Sequence, residues 1–273
     1  MIRARVLAVV AVAALVAPAA GCQQDPPSPS QQAAERLHRA ADHLARAGSV
    51  ELLVTMTVGG TLWSGRQRGT AWLSLGADSA ASRATADVDV KAVGDDQSVE
   101  IEFRDPGQGT TYLRAPSVGT RSRPWRAFEG GFAKGPDRGV VVPISHLLSA
   151  PVLDPREYLR PAAAGPNAFA YHPTDEPTRR DTVRFDAQCH LSLSCKPGER
   201  FRAWLATNSR ATAWFDATVR LDADGRLASF EVAFDYGADP GRVVQVAIRA
   251  VVSRTGEPVT VAAPEDARTV PAA

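Results

Sequence analysis

The chain has 273 residues and a formal net charge of +1, from 31 basic and 30 acidic side chains. A balance so close to neutral leaves no electrostatic footprint for nucleic acid, and no nucleic-acid partner is expected. Lysine stands only at 91, 134 and 196, so arginine supplies nearly all the positive charge.

The first 22 residues carry the clearest signal. Arg3 and Arg5 form a short positive region, and Val6 to Val16 an apolar run too short for an ordinary membrane span. Small residues Ala19-Ala20-Gly21 then stand directly before Cys22. This pattern resembles the lipobox of bacterial lipoproteins. The resemblance implies that residues 1–21 are a signal peptide removed on export, and that diacylglycerol is attached to the Cys22 thiol. Loss of the two leader arginines takes the formal charge from +1 to −1. Residues 22–32 follow as a polar, proline-rich tether that cannot bury enough apolar surface to fold. Each buried acyl methylene contributes about 0.8 kcal/mol, so a multiply acylated terminus holds firmly. The expected location is the extracytoplasmic face of the cell membrane, with the membrane lipid as anchor. Residues 33–273 remain as a single domain.

Two further cysteines, Cys189 and Cys195, lie in the exported part. In an oxidising compartment a close pair reads as a disulfide, and Cys-x-x-Cys redox spacing is absent. Bridged Cα atoms must lie within about 7 Å, so the chain has to turn between the two.

In chain order, Ala33 to Ala47 places Ala34, Leu37, Ala41, Leu44 and Ala45 on one helical face, and Gly48 supplies a stop. The period then changes to two. Leu52, Val54, Met56 and Val58 alternate with Leu53, Thr55 and Thr57, and Gly59-Gly60 marks a turn into a second run near Thr61 to Ser64 and Thr70 to Leu75. Ala86, Val88 and Val90, then Val99, Ile101 and Phe103, alternate with charged residues. Thr110 to Arg114 reads as a short strand. The middle predicts short helices at Ile144 to Leu153, Arg156 to Ala164 and Arg200 to Thr207, with a proline-punctuated loop over Gly165 to Thr178. Near the end, Ala213 to Leu221 and Phe230 to Tyr236 flank the hairpin turn Asp222-Ala223-Asp224-Gly225. Val244 to Val252 and Val259 to Ala263 complete about ten strands. Consecutive strands with short turns predict an antiparallel sheet.

The fold class is therefore α+β. One face of a long sheet is apolar and must be covered, by a second sheet, by helices or by a ligand. The predicted helices are short and alanine-rich, which leaves room for a hydrophobic cavity between them and the sheet; a fully packed core built from the same side chains fits the periodicity equally. Lining candidates are the inward residues Val54, Met56, Val88, Ile101, Phe103, Phe215, Val219, Phe230, Val232 and Phe234, a set that a one-residue register slip would exchange.

Several segments occur in a characteristic order. They are the helix Ala33 to Ala47 running into Ser49-Val50-Glu51-Leu52-Leu53-Val54, then Thr111-Tyr112-Leu113-Arg114 before Arg123-Pro124-Trp125, and Leu153-Asp154-Pro155 before a short helix. The hairpin Val219 to Phe234 and the closing Gly256-Glu257-Pro258-Val259-Thr260-Val261-Ala262-Ala263-Pro264 follow. In these features the chain resembles the LppX/LprG-type lipoproteins of actinobacteria, which share a half-barrel fold with the LolA and LolB carriers. The resemblance implies a long antiparallel half-barrel sheet wrapped around a few helices, and a cavity for the acyl chains of a lipid or glycolipid. The Cys189/Cys195 pair and the segment Phe201 to Ser209 depart from the pattern, and Phe201 and Trp204 are placed to cap or partly fill a pocket.

No catalytic constellation is present. Ser145-His146 is the nearest to a nucleophile and base, yet adjacent helical residues point in different directions. His38 and His43 do not share a helical face well. Asp87, Asp89, Glu100 and Glu102 lie on polar strand faces, and Asp222, Asp224 and Gly225 lack the later acids of a calcium loop. No enzyme activity, cofactor or metal is expected. The sequence supports an anchored carrier of a lipid or other hydrophobic ligand. The alternative is an anchored protein-interaction or sensor module, whose sheet face or Trp125 loop docks an envelope partner.

Overall fold

The structure is a computed structural model that describes residues 29–60, 63–76, 80–92, 95–107, 109–115, 124–129, 145–159, 170–171, 182–187, 198–208, 215–236 and 244–270. The leader, Cys22 and the Cys189/Cys195 pair lie outside the described residues.

The chain opens with helix α1 (Pro29–Ala47), four residues earlier than the apolar spacing predicts. A proline is well placed in a first helical turn, where its missing N–H has no helical acceptor to lose. Those extra residues include the exposed Gln31 and Gln32, so hydrophobic pattern could not register them. Leu37, Ala40, Ala41 and Leu44 are buried. Gly48, at φ +72°, donates its N–H to the Leu44 carbonyl at 3.1 Å and turns the chain directly into the first strand.

Twelve strands form one open sheet. They are β1 (Ser49–Gly59), β2 (Trp63–Leu75), β3 (Ala80–Ala92), β4 (Asp95–Asp105), β5 (Thr110–Arg114), β6 (Arg126–Glu129), β7 (Ala170–Tyr171), β8 (Thr182–Ala187), β9 (Phe215–Leu221), β10 (Leu227–Tyr236), β11 (Val244–Thr255) and β12 (Arg268–Val270). Their order across the sheet is β12-β6-β5-β4-β3-β2-β1-β11-β10-β9-β8-β7. Every neighbouring pair is antiparallel except β12 on β6. Helices α1, α2 (Ala150–Leu153) and α3 (Glu199–Asn208), with a helical turn over 156–159, accompany the sheet. Helix α1 packs on β1, β2, β7 and β10, and α2 packs on β3 and α3. The fold is thus a mostly antiparallel open sheet with few helices.

Four expectations about the elements need correction. The second run continues through 65–69, which alternation leaves unassigned, as the one strand β2 (residues 61–62 lie outside the described residues), and Gly69 within it is a packing requirement and not a break. A Cβ there would stand 2.0 Å from the Thr85 carbonyl oxygen and 2.7 Å from Ala86 Cβ, so only glycine lets β2 and β3 approach. The segment 259–263 is not a strand. Both sides of β11 are taken, by β1 and β10, so no edge remains for it there. The chain instead crosses the outer side of the sheet. Gly256 N–H donates to Ser49 O, Ser49 Oγ to Glu257 O, Arg104 Nη1 to Ala262 O at 3.2 Å and Arg268 N–H to Trp125 O at 2.9 Å. Only then does the chain find a free edge, on β6. The third correction concerns the loop expected over 165–178, which contains β7 at Ala170–Tyr171.

The expected helix over 144–153 is also shorter in the structure. Helical geometry covers 145–146 and 150–153, with turns between, and Pro151 sits in the first turn of α2.

Candidate functional site: the inner face of the sheet

Strict alternation gives the sheet one apolar face. On β1, Val50, Leu52, Val54, Met56 and Val58 are buried, while Leu53 on the other face is 51% exposed. The same alternation holds on β3 and β11. Val54, Met56, Val88, Ile101, Phe103, Val219, Phe230, Val232 and Phe234 all belong to this inner face and to a single hydrophobic cluster. The side chain of Phe215, the tenth candidate, lies outside the described residues. No register slip has occurred: Met56 faces Ile248, which faces Val232, and Phe103 faces Ala84 on one side and Leu113 on the other.

The two halves of this face differ in what covers them. Over β10, helix α3 delivers Phe201 and Trp204, both buried. Phe201 meets Phe234 edge-on at 5.4 Å and Tyr158 at 5.5 Å, and Trp204 stacks on Tyr236 at 5.8 Å. Tyr158 also lies 5.5 Å from Phe230. Burial pushes the Tyr236 phenol up to about 12, and that of Tyr158 well above its usual value. Tyr158 is further disfavoured as an anion by the nearby Glu157 and Asp154.

Where β2 meets β3, part of the face carries small side chains. Ala71, Ala84 and Ala86 are buried beside Gly69, and Ser82 Oγ donates to the Leu148 carbonyl at 2.9 Å. Among them stands Gln67, 1% exposed, with neither its amide nitrogen nor its amide oxygen hydrogen-bonded. Its cross-strand neighbours are Met56 and Val88, both fully buried. Alternation leaves 65–69 unassigned, so the residue escapes a pattern search.

A charged cluster fastens the helical layer. Asp154 accepts Arg156 Nη2 at 2.9 Å and Arg200 Nη2 at 2.5 Å, and Glu157 accepts Arg200 Nε at 2.7 Å. Arg156 Nη1 donates to Gly76 O at 2.8 Å, and Phe201 N–H to Glu157 Oε2. Burial works against the charge on Arg200, but the carboxylates of Asp154 and Glu157 outweigh it and raise its pKa. Two arginines thus meet two carboxylates between α3 and the 154–157 turn. Gly198 packs so closely that a Cβ would fall 1.9 Å from Glu157 Oε2.

Ser145 and His146 are both buried and give no exposed nucleophile and base. His146 lies edge-on to Trp204 at 5.4 Å, and burial lowers its pKa to about 3, so it is neutral. Asp105, at the end of β4, accepts N–H bonds from Gly107 at 2.9 Å and Ala150 at 3.1 Å, capping α2 from the sheet. Burial raises its pKa, against the lowering effect of those two bonds. Asp222 organises the β9–β10 turn by accepting N–H bonds from Asp224 and Arg226, with Gly225 at φ +75°. This is a hairpin turn, as expected. Among the described residues no group of three or more His, Cys, Asp or Glu side chains is arranged to hold a metal, and no helix is long and apolar enough to cross a membrane.

The outer face is polar, with cross-strand pairs such as Arg66 opposite Asp89 and Arg68 opposite Asp87. Trp125, expected on a docking loop, is only 4% exposed. The Arg104 and Arg114 guanidinium groups lie 4.7 and 5.1 Å from its ring, and Arg114 also pairs with Glu102. The indole is therefore part of the seam that holds the C-terminal segment. Three clefts lined by described residues lie at Thr55, Thr57 and Arg249 on the outer face, at Trp72 and Glu257 under the C-terminal segment, and at His43 and Arg226. All three mix polar and apolar linings, and none is a hydrophobic cavity.

No family model matches the chain, and no curated protein matches it. Among solved structures, the chain is similar to a LolA superfamily protein from Nitrosomonas europaea. That protein is 7% identical, and the match covers 79% of this chain and 90% of that one at a TM-score of 0.26.

Proposed function

We propose that this protein is an envelope lipoprotein, anchored through Cys22, that carries a lipid or other hydrophobic ligand against the inner face of its sheet. The observation that carries the reading is the asymmetry of the sheet. The nine neighbouring strands from β6 to β9 in the sheet order all carry buried apolar side chains, whereas the described helices of the layer are 19, 4 and 10 residues long. A layer so slight, fastened by the ion pairs of Asp154, Glu157 and Arg200, is the part that gives way for acyl chains to reach the sheet. The open antiparallel sheet agrees with what the resemblance to LppX/LprG-type lipoproteins implies, and closer membership of that group is part of the proposal. In this reading selectivity comes from shape and burial, and no bond is made or broken. The tether keeps the binding face within reach of the bilayer.

Native mass spectrometry and lipid extraction of protein purified from its own host test the reading. A stoichiometric acyl lipid is expected. Uniformly empty protein that also takes up no fluorescent acyl probe would overturn it. Replacement of Cys22 by Ala should release a folded domain into the medium with its ligand affinity intact.

A further inference from the structure

We infer that Gln67 is the polar anchor of the ligand-binding face and takes the uncharged ester-and-hydroxyl head of an acylglycerol. The inference rests on the carrier reading and specifies the chemistry of its ligand. Buried polar side chains almost always have hydrogen-bond partners, because an unfilled donor or acceptor forfeits what water would have given it. Gln67 has none for either end of its amide, although it is 1% exposed. Leucine or methionine would satisfy the strand and the burial pattern between Met56 and Val88 without that cost. The amide therefore has a use beyond packing.

Its surroundings define the partner. A carboxamide offers N–H donors and a carbonyl acceptor side by side, so the matching group must present an acceptor and a donor together. The inner-face neighbours across the strands and one pair further along are Met56, Val54, Val58, Val88, Ala86 and Val90, none of them charged. A phosphate or an ionised carboxylate would be stranded there without a counter-charge. An acylglycerol fits: its ester carbonyl accepts from Nε2 and its free hydroxyl donates to Oε1. Ala71, Ala84 and Ala86 continue along the same face, so the side chains beside the attached chain are small and apolar.

The test uses the whole mature protein with two probes, a pyrene-labelled monoacylglycerol and a pyrenyl alkane of equal length. Wild type should prefer the monoacylglycerol, and Gln67→Leu should weaken that binding by about tenfold while leaving alkane affinity unchanged, as expected for loss of a paired hydrogen bond. In parallel, the Gln67 side-chain amide resonance should shift with the monoacylglycerol and not with the alkane; this needs no variant to fold. If wild type binds neither probe, the carrier reading itself fails. If it binds both alike, and neither the variant nor the resonance responds to the head group, the anchor alone is overturned.

Discussion

Arg200 on α3 and Asp154, 46 residues apart in sequence, meet with Nη2 2.5 Å from Oδ2, and Asp154 is fully buried. Their contact joins the helix that carries Phe201 and Trp204 to the turn that follows α2. The stability of the helical layer is expected to be concentrated here. Asp154→Ala leaves Arg156, 3% exposed, with an uncompensated charge, and should cost about 3–5 kcal/mol in urea denaturation. Arg200 keeps 31% of its side-chain surface exposed, so water screens much of its loss. Arg200→Ala should cost about 1 kcal/mol and speed uptake of a fluorescent acyl probe. Unchanged uptake would separate this contact from access to the sheet.

Gly69→Ala places a methyl group against the backbone of β3, where Thr85 O cannot withdraw without breaking the ladder. A destabilisation of about 3 kcal/mol is expected. Gly225→Ala, with open space around its Cβ but φ +75°, should cost less, about 1 kcal/mol. Thermal melts of the two variants side by side check the order.

His146 gives a signed pH prediction. Its pKa falls from 6.5 to about 3 on folding, so below 6.5 the unfolded chain binds the extra proton. The stability present above pH 6.5 is then lost as pH falls toward 3, by up to about 1.4 kcal/mol per unit. Asp105 acts oppositely: its raised pKa lets the folded state take a proton first as pH drops toward 4. His146→Phe should therefore flatten the acid limb of stability against pH. An unchanged slope between pH 6 and 4.5 would contradict the buried neutral imidazole.

Trp125→Ala should destabilise the protein by about 3 kcal/mol, as for other buried indoles, and should loosen the C-terminal segment. Hydrogen exchange is the readout. Arg268 N–H, bonded to Trp125 O, and the rest of β12 should lose protection before β1 or β11 does.

The sequence by itself determined the strands with one wet face and the residues on their dry face. An alternation such as Leu52, Val54, Met56 and Val58 has only one way to bury its apolar members. Nine of the ten proposed lining residues lie on that face for this reason. It also determined α1 and the β9–β10 hairpin, whose signals are local. Tertiary structure decided what no local signal carries. Gly65 to Gly69 is strand because β3 comes close enough to forbid a side chain. Residues 259–263 are unpaired because β1 and β10 already hold both edges of β11. Trp125 is buried because Arg104 and Arg114, distant in sequence, close over it. Gln67 turns inward among apolar side chains because its neighbours' register leaves it no other face. These outcomes depend on which edges, gaps and charges arrive from elsewhere in the chain, and short-range periodicity contains no record of them.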